Sequence, residues 1–310
     1  MLRHVAAGID GTPEGLAAAH WAAGEAVRRG TALRLVHAWE WQPRPAPTVP
    51  ADMSQRSWAE DMLAQASDSV RAAHAGLRVV TQSVVESPVG ALLAAAEEAD
   101  LLVLGSRWIS GVTGFLTGSV SQRVVARSPR PVVLVRAGEC TAREHFSAVP
   151  GISPDEIPET PYRDVVLGLD TDRPCDELIE FAFDAARLRA TPLRVVHAFS
   201  APPAYAAIDR LAPVNGPELL AEHERAVVAT LRPWCEKFPE VAVTETVTEG
   251  RAAGELIHAS AGAALLVVGR RVRETLRGNH LGNHLGNHLG SVVHAALHHA
   301  PCPVAVVPHA

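Results

Sequence analysis

The sequence predicts a doubly wound α/β fold present twice in tandem, and three observations carry the prediction. Short apolar, β-branched runs alternate with longer Ala-rich stretches of helical period, the pattern of strands joined by crossover helices. The runs LLVLG (101–105) and PVVLV (131–135) are apolar at every position. Such strands are buried on both faces, so they belong to a parallel sheet covered by helices above and below. The chain also aligns with itself, the mark of a repeat. RHVAAGID (3–10) matches RDVVLGLD (163–170) and TALRLVHAWE (31–40) matches TPLRVVHAFS (191–200), both at an offset of 160. LLVLGSR (101–107) matches LLVVGRR (265–271) at 164, and GSVSQRVVARSPRPVVLV (118–135) matches GSVVHAALHHAPCPVAVV (290–307) at 172.

Taken in order, the first repeat opens with an apolar strand near 3–9 that turns polar at Asp10, followed by an Ala-rich helix near 13–29. The β-branched run near 32–38 is the second strand; a helix near 54–75, a strand near 77–85 and a helix near 88–98 follow. The fourth strand, near 101–105, ends in Gly105, and a glycine-bearing loop leads to a helix near 119–127 and a fifth strand near 131–136. The second repeat places strands near 163–169, 193–199, 240–248, 264–269 and 303–308. Between the repeats, residues 137–161 are polar and Pro-rich, the composition of a linker. The expected domains are therefore 1–136 and 162–310.

Composition bounds the function classes. The chain has 310 residues, about twice the ~150-residue scale of one domain. With 47% hydrophobic and 20% charged residues it has apolar side chains enough for ordinary globular cores. A formal charge of −6 argues against nucleic acid and anionic membrane as partners, because both need a positive surface. The N-terminal stretch turns polar before an apolar region of signal length forms, and no window approaches 18 strongly apolar residues, so the expected location is cytoplasmic. Cys140, Cys175, Cys235 and Cys302 have no CxxC spacing and are expected to be reduced thiols.

In an open α/β sheet a ligand binds outside the carboxyl ends of the strands, where the strand order reverses. Two loops fit that place. Gly8-Ile9-Asp10-Gly11-Thr12 puts a carboxylate at the end of the first strand, and GSRWISGVTGFLTGS runs from the fourth strand into a helix at Ser119. Glycines let backbone amides approach an anion, and a serine at a helix start offers its hydroxyl there.

The strand-Asp, the LRLVHAW second strand, LLVLGSR and GSVSQRVV…PVVLV, in this order and in both repeats, resemble the universal stress protein family. The resemblance covers nearly all the chain outside the linker. It implies a five-stranded parallel sheet of order 3-2-1-4-5 and, in members that bind ATP, a Gly-x2-Gly-x9-Gly-Ser/Thr loop after the fourth strand with an Asp against the adenosine. Carried onto this chain, it implies an adenine nucleotide, ATP with or without Mg2+, on Asp10, Gly11, the second-strand end Val36, His37 and Ala38, and the loop positions Gly105, Ser106, Arg107, Trp108, Gly118, Ser119 and Val120. The second-repeat counterparts are Asp170, Gly269, Arg270, Gly290 and Ser291. It also implies that the fifth strands are pairing edges, giving an intramolecular pseudo-dimer: either a pseudo-dimeric monomer or a homodimer of tandem chains.

Two departures bear on function. Trp108 stands where the motif has its second glycine; its indole either obstructs the phosphates or stacks on the base. In the second repeat Val272 stands there, and two surplus copies of Gly-Asn-His-Leu within GNHLGNHLGNHLGS (278–291) delay the final Gly-Ser. A helix through that stretch would lose roughly 3 kcal/mol on its glycines, so a loop is expected, and the repeat itself contains no Cys, Asp or Glu to complete a closed metal site. No metal is expected; metal binding by the His loop is a remote alternative. His37 and His197 end the second strand of each repeat and are expected to be satisfied structural histidines. The absence of GxxxxGK[ST], GxSxG and HExxH argues against an enzyme, while leaving weak ATP hydrolysis open. The expected function is a stress-response regulator binding nucleotide in the first repeat with the second degenerate; the alternative is a nucleotide-free interaction scaffold.

Overall fold

A computed structural model of the chain describes residues 4–40, 54–106, 119–137, 144–145, 161–200, 216–272 and 289–309. These residues fall into two compact units. The first contains β1 (His4–Gly8), α1 (Pro13–Arg28), β2 (Ala32–Trp39), α2 (Gln55–Ala73), β3 (Val79–Val85), α3 (Pro88–Glu98), β4 (Leu101–Ser106), α4 (Ser119–Arg127) and β5 (Val132–Arg136). The strands form a parallel sheet in the order β3-β2-β1-β4-β5. The order reverses between β1 and β4, which pair through Val5 and Leu101, and in such sheets the carboxyl ends of the two strands at the reversal are where a ligand crevice forms. The chain's last strand, numbered β10 (Val304–His309), contributes Pro303–Pro308 to the same unit and runs antiparallel to β5, Val304 opposite Leu134. This is the pairing of the two fifth strands that the resemblance implied.

The second unit contains β6 (Asp164–Gly168), α5 (Asp176–Arg189), β7 (Leu193–Phe199), α6 (Gly216–Lys237), β8 (Val243–Glu249), α7 (Ala252–Ser260), β9 (Ala263–Arg271) and α8 (Ser291–His299). Its strands are parallel in the order β8-β7-β6-β9, the same series as β3-β2-β1-β4. Every predicted strand, and every predicted helix of the first repeat, is present with its ends within three residues of expectation.

Local chemistry explains the helices that frame the crevice. Thr12 caps α1: its hydroxyl accepts from the Gly15 amide at 3.1 Å, and Pro13 supplies a preset first helical residue. The buried residues of α1 include Ala18, Ala19, Ala22, Ala23 and Ala26, small side chains that let the helix pack closely, together with the large Trp21. At Gly105 the approach is backbone to backbone, for a Cβ there would lie 2.6 Å from the carbonyl carbon of Glu14. Ser54 and Ser87 cap α2 and α3 in the same way as Thr12, through the amides of Ser57 and Gly90. Glu25, buried on α1, is held by Arg28 at 3.0 Å and Arg29 at 2.7 Å, which offsets the cost of removing its charge from water. In the second unit Phe183 of α5 is fully buried and stacks on Trp234 and Phe238.

Candidate functional site

The C-terminal edge of β1 is built around Asp10. Its Oδ1 accepts from the Thr12 amide at 3.1 Å and from the Thr12 hydroxyl at 2.5 Å, which locks the turn into α1 while the residue stays exposed. Gly11 sits at φ +75°, a conformation that favours glycine, and a Cβ there would meet Met62 Sδ at 2.8 Å and the Trp58 ring at 3.4 Å. Trp58 and Met62, one turn apart on α2, thus cover the β1–α1 turn.

The end of β2 lies beside this turn. The Val36 carbonyl accepts from the Ile9 amide at 2.8 Å. His37 returns the tie, with Nδ1 at 2.7 Å from the Ile9 carbonyl, and Ala38 follows, partly exposed. The His37 ring meets Trp58 edge to face, centroids 5.8 Å apart. Burial lowers its proton affinity below the usual histidine range, against the opposing pull of the Ile9 carbonyl and the Asp10 charge. His37 is therefore neutral at pH 7.

On the other side of the crevice β4 ends in Gly105 and the buried Ser106, and Ser121 donates its hydroxyl to the Gly105 carbonyl at 3.2 Å. Ser119 is exposed at the start of α4 and Val120 is half-buried behind it. The structure so brings Asp10, Gly11 and His37 together with Val36 and Ala38, and frames them with β4 and α4. The predicted positions Arg107, Trp108 and Gly118 lie outside the described residues, as does 273–288, most of the Gly-Asn-His-Leu stretch.

The second unit repeats the edge with a different interior. Asp170 Oδ1 accepts from the Asp172 amide at 3.1 Å, and His197 Nδ1 lies 3.0 Å from the Leu169 carbonyl. Here, however, His223 of α6 places Nδ1 2.9 Å from His197 Nε2 and stacks on Phe199 with ring centroids 4.1 Å apart. Gly269 is a close-approach glycine, since a Cβ would meet His309 Nε2 at 2.9 Å. Arg270 is buried, unlike the exposed Arg271, so its guanidinium does not stand in solvent as a phosphate lure would. Gly290 precedes α8 without a side-chain cap, and Ser291 is exposed at its first turn.

Sequence reasoning missed Trp58, Met62 and His223. All three come from the second helix of a repeat, where the two halves do not align, so the internal comparison carried no signal; the i, i+4 spacing of Trp58 and Met62 was the one clue. Among the described residues no group of three or more His, Cys, Asp or Glu is placed to hold a metal ion, and no helix is long and apolar enough to cross a membrane. Among the described residues Cys175, Cys235 and Cys302 form no disulfide, and Cys140 lies outside them.

The same pattern is found in known proteins. The sequence profile of the universal stress protein family matches residues 1–136 and 161–308. The chain belongs to the universal stress protein family. A universal stress protein of Mycobacterium tuberculosis is 30% identical over 309 residues, 97% of this chain and 96% of that protein, and one of Mycobacterium bovis matches to the same extent. These universal stress proteins are of the same tandem length. The crystal structure of a universal stress protein from Archaeoglobus fulgidus superposes over 100% of both chains with a TM-score of 0.64 at 15% identity. A second, from Pseudomonas aeruginosa, covers 99% of this chain and 94% of its own with a TM-score of 0.59 at 14% identity. At these identities the likeness is one of fold.

Proposed function

We propose that this universal stress protein is a cytoplasmic stress-response regulator that binds one adenine nucleotide, ATP with or without Mg2+, in the crevice of its first unit. The observation that carries the reading is the edge where the exposed Asp10, the Gly11 turn, His37 and the Trp58 ring converge at the strand-order reversal. Asp10 offers acceptor oxygens of the kind that hold ribose hydroxyls, Trp58 an aromatic surface, and the start of α4 at Ser119 a helix N-terminus suited to phosphate. The protein acts by binding, as a pseudo-dimeric monomer or a homodimer, and turns nucleotide occupancy into a change in association with protein partners.

The second unit is degenerate in this reading, because His223 is hydrogen-bonded to His197 Nε2 at 2.9 Å, whereas in the first unit Trp58 makes only a ring contact with His37. That feature also favours the second reading, a nucleotide-free scaffold, should the first unit prove equally closed. Acid extraction of the purified protein followed by chromatography of the supernatant separates the two. Recovery of ATP or another adenine nucleotide supports the regulator; an empty extract, together with no thermal shift on adding ATP and magnesium, supports the scaffold.

A further inference from the structure

One buried atom at the edge of the candidate site has no hydrogen-bond partner among the described residues: Nε2 of His37, in a residue only 7% exposed. The other ring nitrogen fixes what this atom must be. Nδ1 faces the Ile9 carbonyl at 2.7 Å, and a carbonyl oxygen only accepts, so Nδ1 carries the proton. In the neutral ring Nε2 is then a bare lone pair, an acceptor. A buried acceptor without a donor is costly, and buried polar groups are rarely left so.

The second unit shows what the same atom does when it is satisfied. His197 has the same anchor, Nδ1 on the Leu169 carbonyl, and its Nε2 meets His223 Nδ1 at 2.9 Å, with the Thr171 hydroxyl 3.5 Å away. The first repeat has Gly11 where the second has Thr171, and its second helix presents Trp58, whose ring edge contact with His37 supplies no such bond. Among the described residues of the first repeat, neither of these two partners of the acceptor has a counterpart.

We propose that His37 Nε2 accepts a hydrogen bond from the nucleoside part of the ligand and thereby selects a nucleotide carrying an N–H or O–H donor at that point. The inference rests on the nucleotide-binding reading above and adds a specificity-determining side chain to it. An adenosine nucleotide has donors of both kinds, the 6-amino group of the base and the ribose hydroxyls. A ligand that presents a carbonyl or ether oxygen there sets acceptor against acceptor and is rejected. Because the site is built to pair a donor, omission of that donor discriminates more strongly than a change of apolar contact.

Calorimetric titration of the full chain with ATP, purine riboside triphosphate, 2′-deoxy-ATP and 3′-deoxy-ATP tests this, run on wild type, His37→Asn and His37→Gln. Asparagine keeps an amide donor where Nδ1 stood, so the tie to Ile9 survives while the acceptor at the ε position is removed. Glutamine restores an acceptor near that position. His37→Asn is expected to bind ATP about 10- to 100-fold more weakly, with His37→Gln recovering part of the loss. In wild type the one analogue lacking the donor that meets Nε2 should lose a similar factor, and that analogue should lose little further in His37→Asn. Loss with purine riboside triphosphate assigns the amine; loss with a deoxy analogue assigns a hydroxyl. Equal binding of all four nucleotides by wild type, a comparison that needs no variant to fold, overturns the proposal, as does unchanged ATP affinity in His37→Asn. Wild type that binds none of the four overturns the nucleotide-binding reading and this inference with it.

Discussion

Ala190 and Gly30 occupy the same place, 160 residues apart, just past the first long helix of each repeat, and the chain is left-handed at both: φ is +62° at Gly30 and +48° at Ala190. The capping bonds also repeat, Thr31 N to the Ala26 carbonyl at 2.9 Å and Thr191 N to the Ala186 carbonyl at 3.1 Å. Glycine adopts this conformation without a Cβ penalty and alanine does not, so Ala190→Gly is expected to stabilise the protein by roughly 0.5–1 kcal/mol and Gly30→Ala to destabilise it by a similar amount. Urea midpoints of the two variants check this. Four histidines of the first unit, His4, His20, His37 and His74, bind protons less readily than the ordinary histidine value of 6.5, in each case chiefly through burial; Arg34 adds to the effect at His4, and His20 with Arg28 at His74. The unfolded chain takes up protons that the folded one refuses, so this contribution is complete above pH 6.5 and is lost as pH falls below it. Melting temperatures from pH 8 to pH 5 should decline once pH passes below 6.5; a flat profile contradicts the assignment. Cys175, buried and hydrogen-bonded to Glu177 at 3.1 Å, has its pKa pushed up to about 11, chiefly by burial. It should resist alkylation at neutral pH in the folded protein and react in urea.

At the scale of elements, the strands were legible because parallel strands buried on both faces are apolar throughout, and because each was written twice. The ends of β1 and β4 were legible for the same reason: Asp10, Gly105 and their counterparts recur at fixed offsets. What covers those ends was not. Trp58 on α2 and His223 on α6 come from helices of different length, 19 and 22 residues, so the repeats differ where the sites are closed. Packing also assigns Gly105 a role the phosphate-loop pattern did not. Its hydrogen touches the carbonyl of Glu14, so Gly105→Ala should force α1 away from β4 and cost about 1–3 kcal/mol, apart from any effect on ligand. A denaturation midpoint unchanged from wild type would show that α1 can shift freely. His37 was expected to be a satisfied structural histidine, and the structure corrects this: one nitrogen is tied to Ile9 and the other has no partner among the described residues. Periodicity places a residue on a strand; it carries no information about which of two ring nitrogens finds a donor.

At the scale of the whole molecule, duplication has left two units with one strand series and two interiors. The sequence showed the duplication and its asymmetry through Val272 and the Gly-Asn-His-Leu insertion, but located the asymmetry in the loop after the fourth strand. The structure places a further asymmetry under the second helix, where His223 completes the hydrogen bonding of His197 and stacks on Phe199. His223→Ala should leave His197 Nε2 in the condition of His37, and so lower stability by about 1–3 kcal/mol in chemical denaturation without lowering ATP affinity in the first unit. The central claim is that the chain takes one adenine nucleotide, in its first unit. The stoichiometry of ATP binding to the intact chain by calorimetry tests it most directly. One nucleotide per chain, abolished or strongly weakened by Asp10→Ala and unaffected by Asp170→Ala, is the predicted result; two per chain, none, or a single site that follows Asp170 would contradict it.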